Sequence, residues 1–410
     1  MGQELVCHNN QILFKPFGPD FLHHQRLEAS VLSPRASTCY TPIQDLESKQ
    51  LLSNLLVSPH EFSNQIERFA GSIAYSMAFG MRILTGTEWQ VKRSRECLDN
   101  FNFAGQPGVW IVDALPWLNY LPAPLAPWKK TAAKWFQRWD NLHQTNYRDA
   151  LKREGWNWSK DFEKAKEAQN MTKEQIAWDV GILCDAGVET TATTLQIFVL
   201  ACVAHPEWIA TAQKELDHVV GQDRIPVFED LENLPYIQAV VEENFRWRHP
   251  VPAGVPHATT QGDEYEGYRI PKGSIIIPFF DAMRQDKSLF DAPNEFRPER
   301  WLGKSQLGSF GYGRRICPGR HIARNSLTIA IARLLWTFDI HPTDGQKVVV
   351  EEGMFTTGFV SAPKGVEAIF IPRSDTHAKV VREAFEATEK DVAKLLDHVR
   401  EKQVSVGVKP

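Results

Sequence analysis

Residues 310–319 read FGYGRRICPG, and this loop decides the fold because it places Cys317 among three glycines just before a helix. Pro318 suits the first turn of a helix, where its missing N–H costs no hydrogen bond, and residues 321–336 form an apolar, helix-forming run. The sequence therefore predicts that Cys317 caps this helix. Unpaired backbone N–H groups and the positive end of the helix dipole are expected to bond the sulfur and lower the pKa of the thiol.

Several roles for such a thiolate can be compared from the residues alone. Structural zinc needs about four ligands in short pairs, whereas the other cysteines are scattered and no CxxC pair occurs. A phosphatase-type nucleophile, which also sits at a helix N-terminus, needs an arginine six positions on, where this chain has Ala323. A buried structural cysteine would need neither the three glycines nor the two arginines of the loop. Haem iron accepts an axial thiolate, glycine lets the backbone approach a flat macrocycle, and Arg315 could pair with a haem propionate.

The loop resembles the haem-ligand signature of the cytochrome P-450 superfamily, F-x-x-G-x-R-x-C-x-G. The matching residues are Phe310, Gly313, Arg315, Cys317 and Gly319. The resemblance runs from about residue 11 to residue 374 and points to fungal members that tailor secondary metabolites. It implies a mainly α protein with small β-sheets, the cytochrome P-450 fold, lacking the N-terminal anchor and the first sheet.

The same resemblance assigns the cofactor and its contacts. It implies haem b, with Cys317 as the axial ligand of the iron. Phe310, Gly311, Arg315 and Gly319 would contact the cofactor. The loop is thus expected to form the proximal side of the haem site.

Cofactor contacts outside the loop depart from the family pattern. The early helix of the family carries a tryptophan and, one turn later, an arginine that hold a propionate, and this chain has Phe21 and Gln25 there. Arg26 or His24 could replace them. His257 aligns with another propionate-binding position and is therefore a candidate contact. The alternative for His257 is an ordinary surface residue at a strand end.

A second motif lies in residues 172–203, which open with the capping-box pattern TKEQ and stop before a His-Pro pair. This predicts one long helix, and its apolar residues on several faces predict that most of its surface is buried. Residues 187–194 nevertheless hold a glycine and four threonines, which are poor helix formers. Threonines that bond back to the helix would make this a tolerated weak spot. A bulge or kink that makes room for a ligand is the functional alternative.

The segment AGVETT at residues 186–191 resembles the oxygen-binding motif of the family. By this resemblance Glu189 and Thr190 are catalytic residues that relay protons to dioxygen. Ala186 and Gly187 would face the distal side of the haem.

Glu243 and Arg246 lie three residues apart on a helix predicted from about Tyr236 to the residues before Pro250. Taken alone, such a pair is usually an exposed ion pair of little energetic value. Residues 296–301, FRPERW, resemble the second-arginine segment of the family. By that resemblance Arg300 joins Glu243 and Arg246 in a structural network behind the haem.

The remaining patterns predict small sheets and a helical tail. Residues 265–278 are typical of a hairpin with a turn at 271–273, and residues 366–371 of a short strand. We divide the chain into a haem-thiolate monooxygenase domain at 1–374, incomplete at its N-terminus, and a C-terminal amphipathic helical tail at 375–410. Packing of the tail on the core is favoured over a contact with a partner. A truncated sequence explains the missing first sheet better than a naturally shortened enzyme.

Composition and the family resemblance together predict the partners. A net charge of −4 and a pI near 6.4 argue against nucleic-acid binding, and six dispersed cysteines fit a reducing compartment. The resemblance implies NADPH-cytochrome P-450 reductase and O2 as partners. Apolar predicted pocket walls imply a hydrophobic small-molecule substrate. Four basic residues around the cysteine loop are expected to steer an acidic reductase, namely Lys304, Arg314, Arg320 and Arg324.

The family resemblance also bears on location and on alternatives. Full-length relatives are expected at the cytoplasmic face of the endoplasmic reticulum membrane. This chain has no apolar run long enough for an anchor, so membrane contact is expected only through the missing anchor or a hydrophobic lip at residues 110–128. The predicted function is an NADPH-dependent monooxygenase. A haem-binding protein without turnover and a haem-thiolate isomerase or dehydratase are the alternatives.

Overall fold

The structure is a computed structural model, and it describes residues 1–106, 108–304, 306–343, 345 and 347–408. Helices dominate the described part, with small two-stranded sheets, as the sequence predicted. The α-helices are α1 (Pro19–Leu32), α2 (Pro34–Ser37), α3 (Thr41–Val57), α4 (Phe62–Phe79), α5 (Trp89–Ala104), α6 (Ile111–Ala114), α7 (Pro127–Ala150), α8 (Trp158–Lys164), α9 (Lys173–Ala204), α10 (Ile209–Val219), α11 (Pro235–Trp247), α12 (Phe280–Gln285), α13 (Arg320–Thr337), α14 (Asp375–Glu386) and α15 (Val392–Ser405). The strands are β1 (His257–Ala258), β2 (Asp263–Tyr265), β3 (Tyr268–Ile270), β4 (Ile275–Ile276), β5 (Phe338–His341) and β6 (Ile369–Pro372).

The long helix α9 forms the centre of the fold, as predicted. Its N-terminus is a capping box, in which the Thr172 hydroxyl accepts the Gln175 N–H at 3.2 Å and the Gln175 side chain accepts the Thr172 N–H at 2.9 Å. Residues 197–203 are fully buried, and the helix as a whole packs against α4, α7 and α13. Among the described helices α9 alone is long and apolar enough to cross a membrane, and 67% of its most apolar window is buried within the protein. That burial is typical of a core helix.

The cysteine loop lies between α11 and α13. Helix α13 packs on α3, α9, α10 and α11, so its N-terminus is held at a fixed place beside the core. Buried Arg333 of α13 reinforces this packing, because its guanidinium bonds the Asp45 carboxylate of α3 at 2.6 Å. The elements that flank the loop are therefore rigid.

The sheets differ from the prediction in their pairing. β2 pairs with β3 across a two-residue turn, in which Glu266 and Gly267 have φ of 51° and 81°. Such left-handed turns match the twist of a hairpin. β4 pairs instead with β1, so the predicted hairpin between 265–270 and 274–277 was wrong. The predicted strand at 366–371 forms as β6, which begins at Ile369 and pairs with β5.

The tail forms two helices, α14 and α15, where the pattern predicted one amphipathic helix. Asp391 interrupts the helix and caps α15, because its carboxylate accepts the Ala393 N–H at 2.9 Å. Both helices pack on α3. The buried face of α15 includes Val399, and the Asp397 carboxylate accepts the Trp156 N–H at 2.8 Å. The tail thus packs back on the rest of the chain.

Candidate active site

The cysteine loop is closed by its own backbone. The Cys317 N–H donates to the carbonyl oxygen of Phe310 at 2.8 Å, and the Gly311 N–H donates to Gly308 at 3.2 Å. Gly311 and Gly313 have φ of 82° and 62°, in the left-handed region where a side chain is disfavoured. The glycines of the motif are therefore required by the path of the loop.

The Cys317 sulfur faces the start of α13. The backbone N–H groups of Gly319 and Arg320 favour the thiolate and act to lower the pKa of the thiol. The helix begins at Arg320 with Gly319 as its N-cap, so the prediction that Cys317 is the cap was wrong by two residues. Burial raises the pKa of the Cys317 thiol and outweighs the two amides, so the expected lowering of this pKa was also wrong for the free thiol. A bound cation deprotonates a coordinating thiol outright.

Two side chains of the α11 region brace the loop. Phe310 contacts the Phe245 ring edge-to-face at a centroid distance of 5.1 Å. The buried His249 donates from Nε2 to the carbonyl oxygen of Ser309 at 2.7 Å, while its Nδ1 accepts the Val251 N–H at 3.0 Å. Burial lowers the pKa of His249 to about 4, which favours the neutral imidazole, and Nδ1 also lies 2.9 Å from the Val251 carbonyl oxygen. Sequence analysis missed His249, although its position directly after a helix and before a proline was visible.

The predicted network around Glu243 is present. Its carboxylate is fully buried and accepts two hydrogen bonds from Arg246, at 2.8 and 2.7 Å. The Arg297 N–H and the Trp301 indole donate to it at 2.8 and 2.9 Å, and Arg300 Nε lies 3.4 Å away. Arg300 therefore joins the pair as predicted. The indole of Trp301 was not foreseen, since no local pattern indicates which tryptophan reaches a buried carboxylate.

Helix α1 contacts the cysteine loop through Phe21 and Gln25, at the places where the family carries a tryptophan and an arginine. The Arg315 guanidinium stacks on the Phe21 ring at 3.6 Å and bonds main-chain carbonyls near the N-terminus, including that of Lys15. Gln25 donates to the Arg314 carbonyl at 3.1 Å. Phe21 and Gln25 thus lie against the cysteine loop, where the family places its tryptophan and arginine.

The suggested substitutes for these two residues do not both fit. His24 is buried and its Nδ1 lies 2.7 Å from a carboxylate oxygen of Asp179, so the idea that it replaces the missing arginine was wrong. Arg26 is exposed. His257 is exposed on β1, as the surface alternative predicted, and no hydrogen bond of its side chain occurs among the described residues. The structure therefore does not bring His257 into contact with the loop.

The middle of α9 opens to solvent at one small residue. Ala186 is exposed although Asp185 beside it is buried, so one face of the helix is open at this position. The Thr190 hydroxyl donates to the Ala186 carbonyl at 2.7 Å. The α-helical pattern is unbroken through this region, so the expected bulge was wrong and the threonines bond back to the helix. A Cβ at Gly187 would lie 3.5 Å from Ala74 of α4, so Gly187 packs beside α4, and its contact with the cofactor stays a prediction.

Glu189 lies on the same helix and is held from the side of α5. The Asn102 side-chain amide donates to its Oε1 at 2.5 Å. Burial raises the pKa of Glu189 to about 7, an effect that the Asn102 hydrogen bond opposes and nearby carboxylates such as Asp185 reinforce. Sequence analysis did not find Asn102, because it is 87 residues away in the chain.

A second buried carboxylate, Asp185, collects donors from two other helices. Ser94 of α5 donates to it at 2.9 Å, and Trp139 and His143 of α7 bond it at 2.7 and 2.9 Å. The His143 ring fits because residue 181 is glycine: a Cβ at Gly181 would come within 2.3 Å of that ring. These contacts fix α5 and α7 over α9.

The loop has the shape and the donor that a flat thiolate-ligated cofactor requires. A Cβ built at Gly311, Gly313 or Gly319 would have no other atom within 4 Å, so this side of the loop is open. The Cys317 thiol lies in this loop just before the start of α13, and Ala186 is exposed on α9. These residues therefore fit a haem. A cavity of about 780 Å³ lies elsewhere, beside residues 289–308, and contains none of the predicted site residues in its lining.

Comparisons with known proteins agree on one family. A family model described as Cytochrome P450 matches residues 10–370. The cytochrome P450 monooxygenase aneD of Aspergillus aculeatus is 38% identical over 97% of this chain and 79% of its own length. The cytochrome P450 monooxygenase drtD of Aspergillus calidoustus is 38% identical over 96% of this chain and 76% of its own length. A zebra fish cytochrome P450 structure with progesterone shares the fold, with a TM-score of 0.75 at 22% identity over 90% of this chain and 87% of that chain.

Proposed function

The chain belongs to the cytochrome P450 family, and on that premise we propose that it is a haem-thiolate monooxygenase acting on a hydrophobic small molecule in secondary-metabolite biosynthesis. The reaction inserts one atom of O2 into the substrate, usually at a C–H bond. The other atom leaves as water, with two electrons from NADPH and two protons. The observation that carries the proposal is the position of Cys317, just before the start of α13 in a loop whose glycines face open space.

We propose that Cys317 would ligate the haem iron and that five further residues would contact the haem. These residues are Phe310, Gly311, Arg315, Gly319 and His257. The bound haem supplies the binding and activation of dioxygen, and the thiolate tunes it. The chain supplies the rigid loop, because the Phe310 carbonyl, the α11 brace and the N-terminus of α13 hold the sulfur in place. Arg315 lies in the loop itself and can exchange its contacts with the Ile12 and Lys15 carbonyls for a propionate.

We propose that Glu189 and Thr190 carry the protons, beside Ala186 and Gly187. A carboxyl with a pKa of about 7 can both give and take a proton at neutral pH, which suits a general acid. The Thr190 hydroxyl rests on the Ala186 carbonyl and can rotate to pass a proton without moving the helix. Both groups lie about one turn from the exposed Ala186, on a partly exposed stretch of α9.

A redox partner is part of this function, and we propose NADPH-cytochrome P450 reductase. The basic rim predicted around the loop is smaller than expected. Arg324 is ion-paired with Glu242, and Arg320 donates to the Cys317 carbonyl at 3.0 Å. Lys304 and Arg314 are exposed and remain candidates for docking an acidic surface.

For location we propose the cytoplasmic face of the endoplasmic reticulum membrane. The support is a hydrophobic lip in residues 110–128, where Trp117, Tyr120 and Leu125 are 61%, 92% and 64% exposed. Aromatic side chains with a polar tip suit the interface between membrane and water. We also propose residues 1–374 as the haem-thiolate domain and 375–410 as a helical tail, supported by the separate capping of α14 and α15.

Replacing Cys317 with serine tests the function. Reduced, CO-treated parent protein should show the red-shifted Soret band of a thiolate haem, and Cys317→Ser should lose it. Cys39→Ser is the matched control, because the Cys39 thiol only donates to the Arg35 carbonyl at 3.4 Å and serine can do the same. A red-shifted band in Cys317→Ser would refute the ligand assignment. A parent that shows the band but forms no product from consumed NADPH would favour the alternative of haem binding without turnover.

A further inference from the structure

The Asn102 side chain joins three elements, namely α5, α9 and the loop at residues 356–360. Its amide nitrogen donates to Glu189 of α9 at 2.5 Å, and its carbonyl oxygen accepts the Val360 N–H at 3.0 Å. Asn102 itself belongs to α5. Gly358 packs so closely on it that an added Cβ would lie 3.2 Å from the Asn102 Cβ. One carboxamide therefore connects the acid, the helix α5 and the loop at residues 356–360.

The hydrogen bond between Asn102 and Glu189 is positioned by the neighbouring contacts of Asp185. Asp185 and Glu189 are four residues apart and share a face of α9. On α5 their partners Ser94 and Asn102 are eight residues apart, so they also lie near one face. Asp185 is 2% exposed and has three donors, whereas Glu189 is only partly buried and has Asn102 as its one side-chain donor in the described part of the chain. The Asp185 contacts thus fix the register of α5, and Asn102 acts on the looser acid.

We propose that Asn102 is a positioning residue, which holds the Glu189 carboxyl and couples it to the position of α5 and of the loop at residues 356–360. This rests on the proposed role of Glu189 in proton delivery. A shift of α5 or of this loop changes the hydrogen bond from Asn102 to Glu189. The Glu189 carboxyl then gives its proton to a nearby hydroxyl or water and regains one from solvent.

The groups around Glu189 make its ionisation sensitive to this one bond. Asp99 of α5, Asp185 of α9 and Glu67 of α4 are negative and oppose its ionisation, and Glu67 is itself paired with Arg95. Asn102 is the neutral donor that favours the carboxylate. Losing one hydrogen bond to a charged group corresponds to a shift of roughly one pH unit.

Infrared titration of the haem-loaded protein measures the Glu189 carboxyl directly. The carboxyl band that disappears in Glu189→Gln identifies it. We expect its midpoint to rise by roughly one pH unit in Asn102→Leu and further in Asn102→Asp, which places a second carboxyl against the acid and still accepts the Val360 N–H. Gly358→Ala pushes the loop off Asn102 and should shift the midpoint in the same direction by less.

Asn100→Leu is the matched control, because Asn100 lies on the same helix and its side chain makes no hydrogen bond with the described residues. It should leave the midpoint unchanged. Unchanged midpoints in both folded, haem-loaded Asn102 variants would overturn the proposal, and an unchanged midpoint in Gly358→Ala alone would overturn the coupling to the loop. The titration needs no turnover. A failure of Glu189 as proton donor would appear separately, as unchanged product per NADPH in Glu189→Gln.

Discussion

Replacing Glu243 with glutamine should destabilise the protein strongly, because it removes one charge from a buried pair. Both Glu243 and Arg246 are 0% exposed, and the carboxylate accepts Arg246 at 2.7 and 2.8 Å. Glutamine keeps the volume but directs an NH2 group toward other donors. Arg246 then keeps its bonds to the Pro293 and Glu295 carbonyls, at 2.8 and 2.9 Å, without a counter-charge.

The expected loss follows from this geometry. Breaking a buried ion pair by removing one partner costs about 3–5 kcal/mol, since an uncompensated charge stays buried. A whole domain is stable by only about 5–15 kcal/mol, so the loss is a large part of the total. Urea unfolding followed by helical circular dichroism measures it as a lower midpoint.

Two further variants separate charge from packing. Glu383→Gln is the matched control, because Glu383 forms an exposed pair with Lys379 at 3.7 Å, and it should cost less than about 1 kcal/mol. Glu243→Gln combined with Arg246→Met removes both charges and should recover part of the loss. If Glu243→Gln costs no more than Glu383→Gln, or if the double variant is simply additive, the reasoning about the buried charge is refuted.

Three other predictions follow from the site. Gly181→Ala should lower the free energy of unfolding by about 1–3 kcal/mol, because the added Cβ clashes with the His143 ring. Gly187→Ala on the same helix should leave this free energy unchanged or raise it, and equal effects of the two substitutions would contradict the clash. Folding lowers the pKa of His249 from about 6.5 to about 4. The contribution of His249 to stability should therefore be present above pH 6.5 and fall by up to about 3 kcal/mol as the pH drops to 4. If the free energy of unfolding depends on pH in the same way in His249→Gln, this contribution is excluded. Thr190→Ala should lower product per NADPH and raise peroxide, measured against the parent, and an unchanged ratio would argue against its proton role.

Local patterns predicted the helices and the motifs well. The capping box at Thr172 and the prolines after α9 and α11 act within one turn of the chain, so the ends of both helices were predicted to within about two residues. The cysteine loop was recognised for the same reason. Its glycines are required by left-handed backbone at Gly311 and Gly313, which the loop needs whatever surrounds it.

Strand pairing, the pKa of Cys317 and the number of helices in the tail were predicted less well from the sequence. The predicted turn at 271–273 is present, since the Ser274 N–H donates to the Pro271 carbonyl at 3.2 Å, but the hairpin forms at Glu266–Gly267, because strand pairing depends on which partners meet in space. The pKa of Cys317 is decided by burial as well as by the amides of α13, and burial cannot be read from the loop alone. One helix was predicted for the tail, where the Asp391 cap divides it.

By itself the sequence determined the helical fold, the cysteine loop and the acid and hydroxyl on α9, because each depends on residues adjacent in the chain. The tertiary structure decided which side chains act on them. His249 reaches Ser309 across 60 positions, and Asn102 reaches Glu189 across 87. Hydrogen bonds between distant segments form only after the core has placed their helices, and the burial that sets the pKa of Glu189 and His249 arises at the same step.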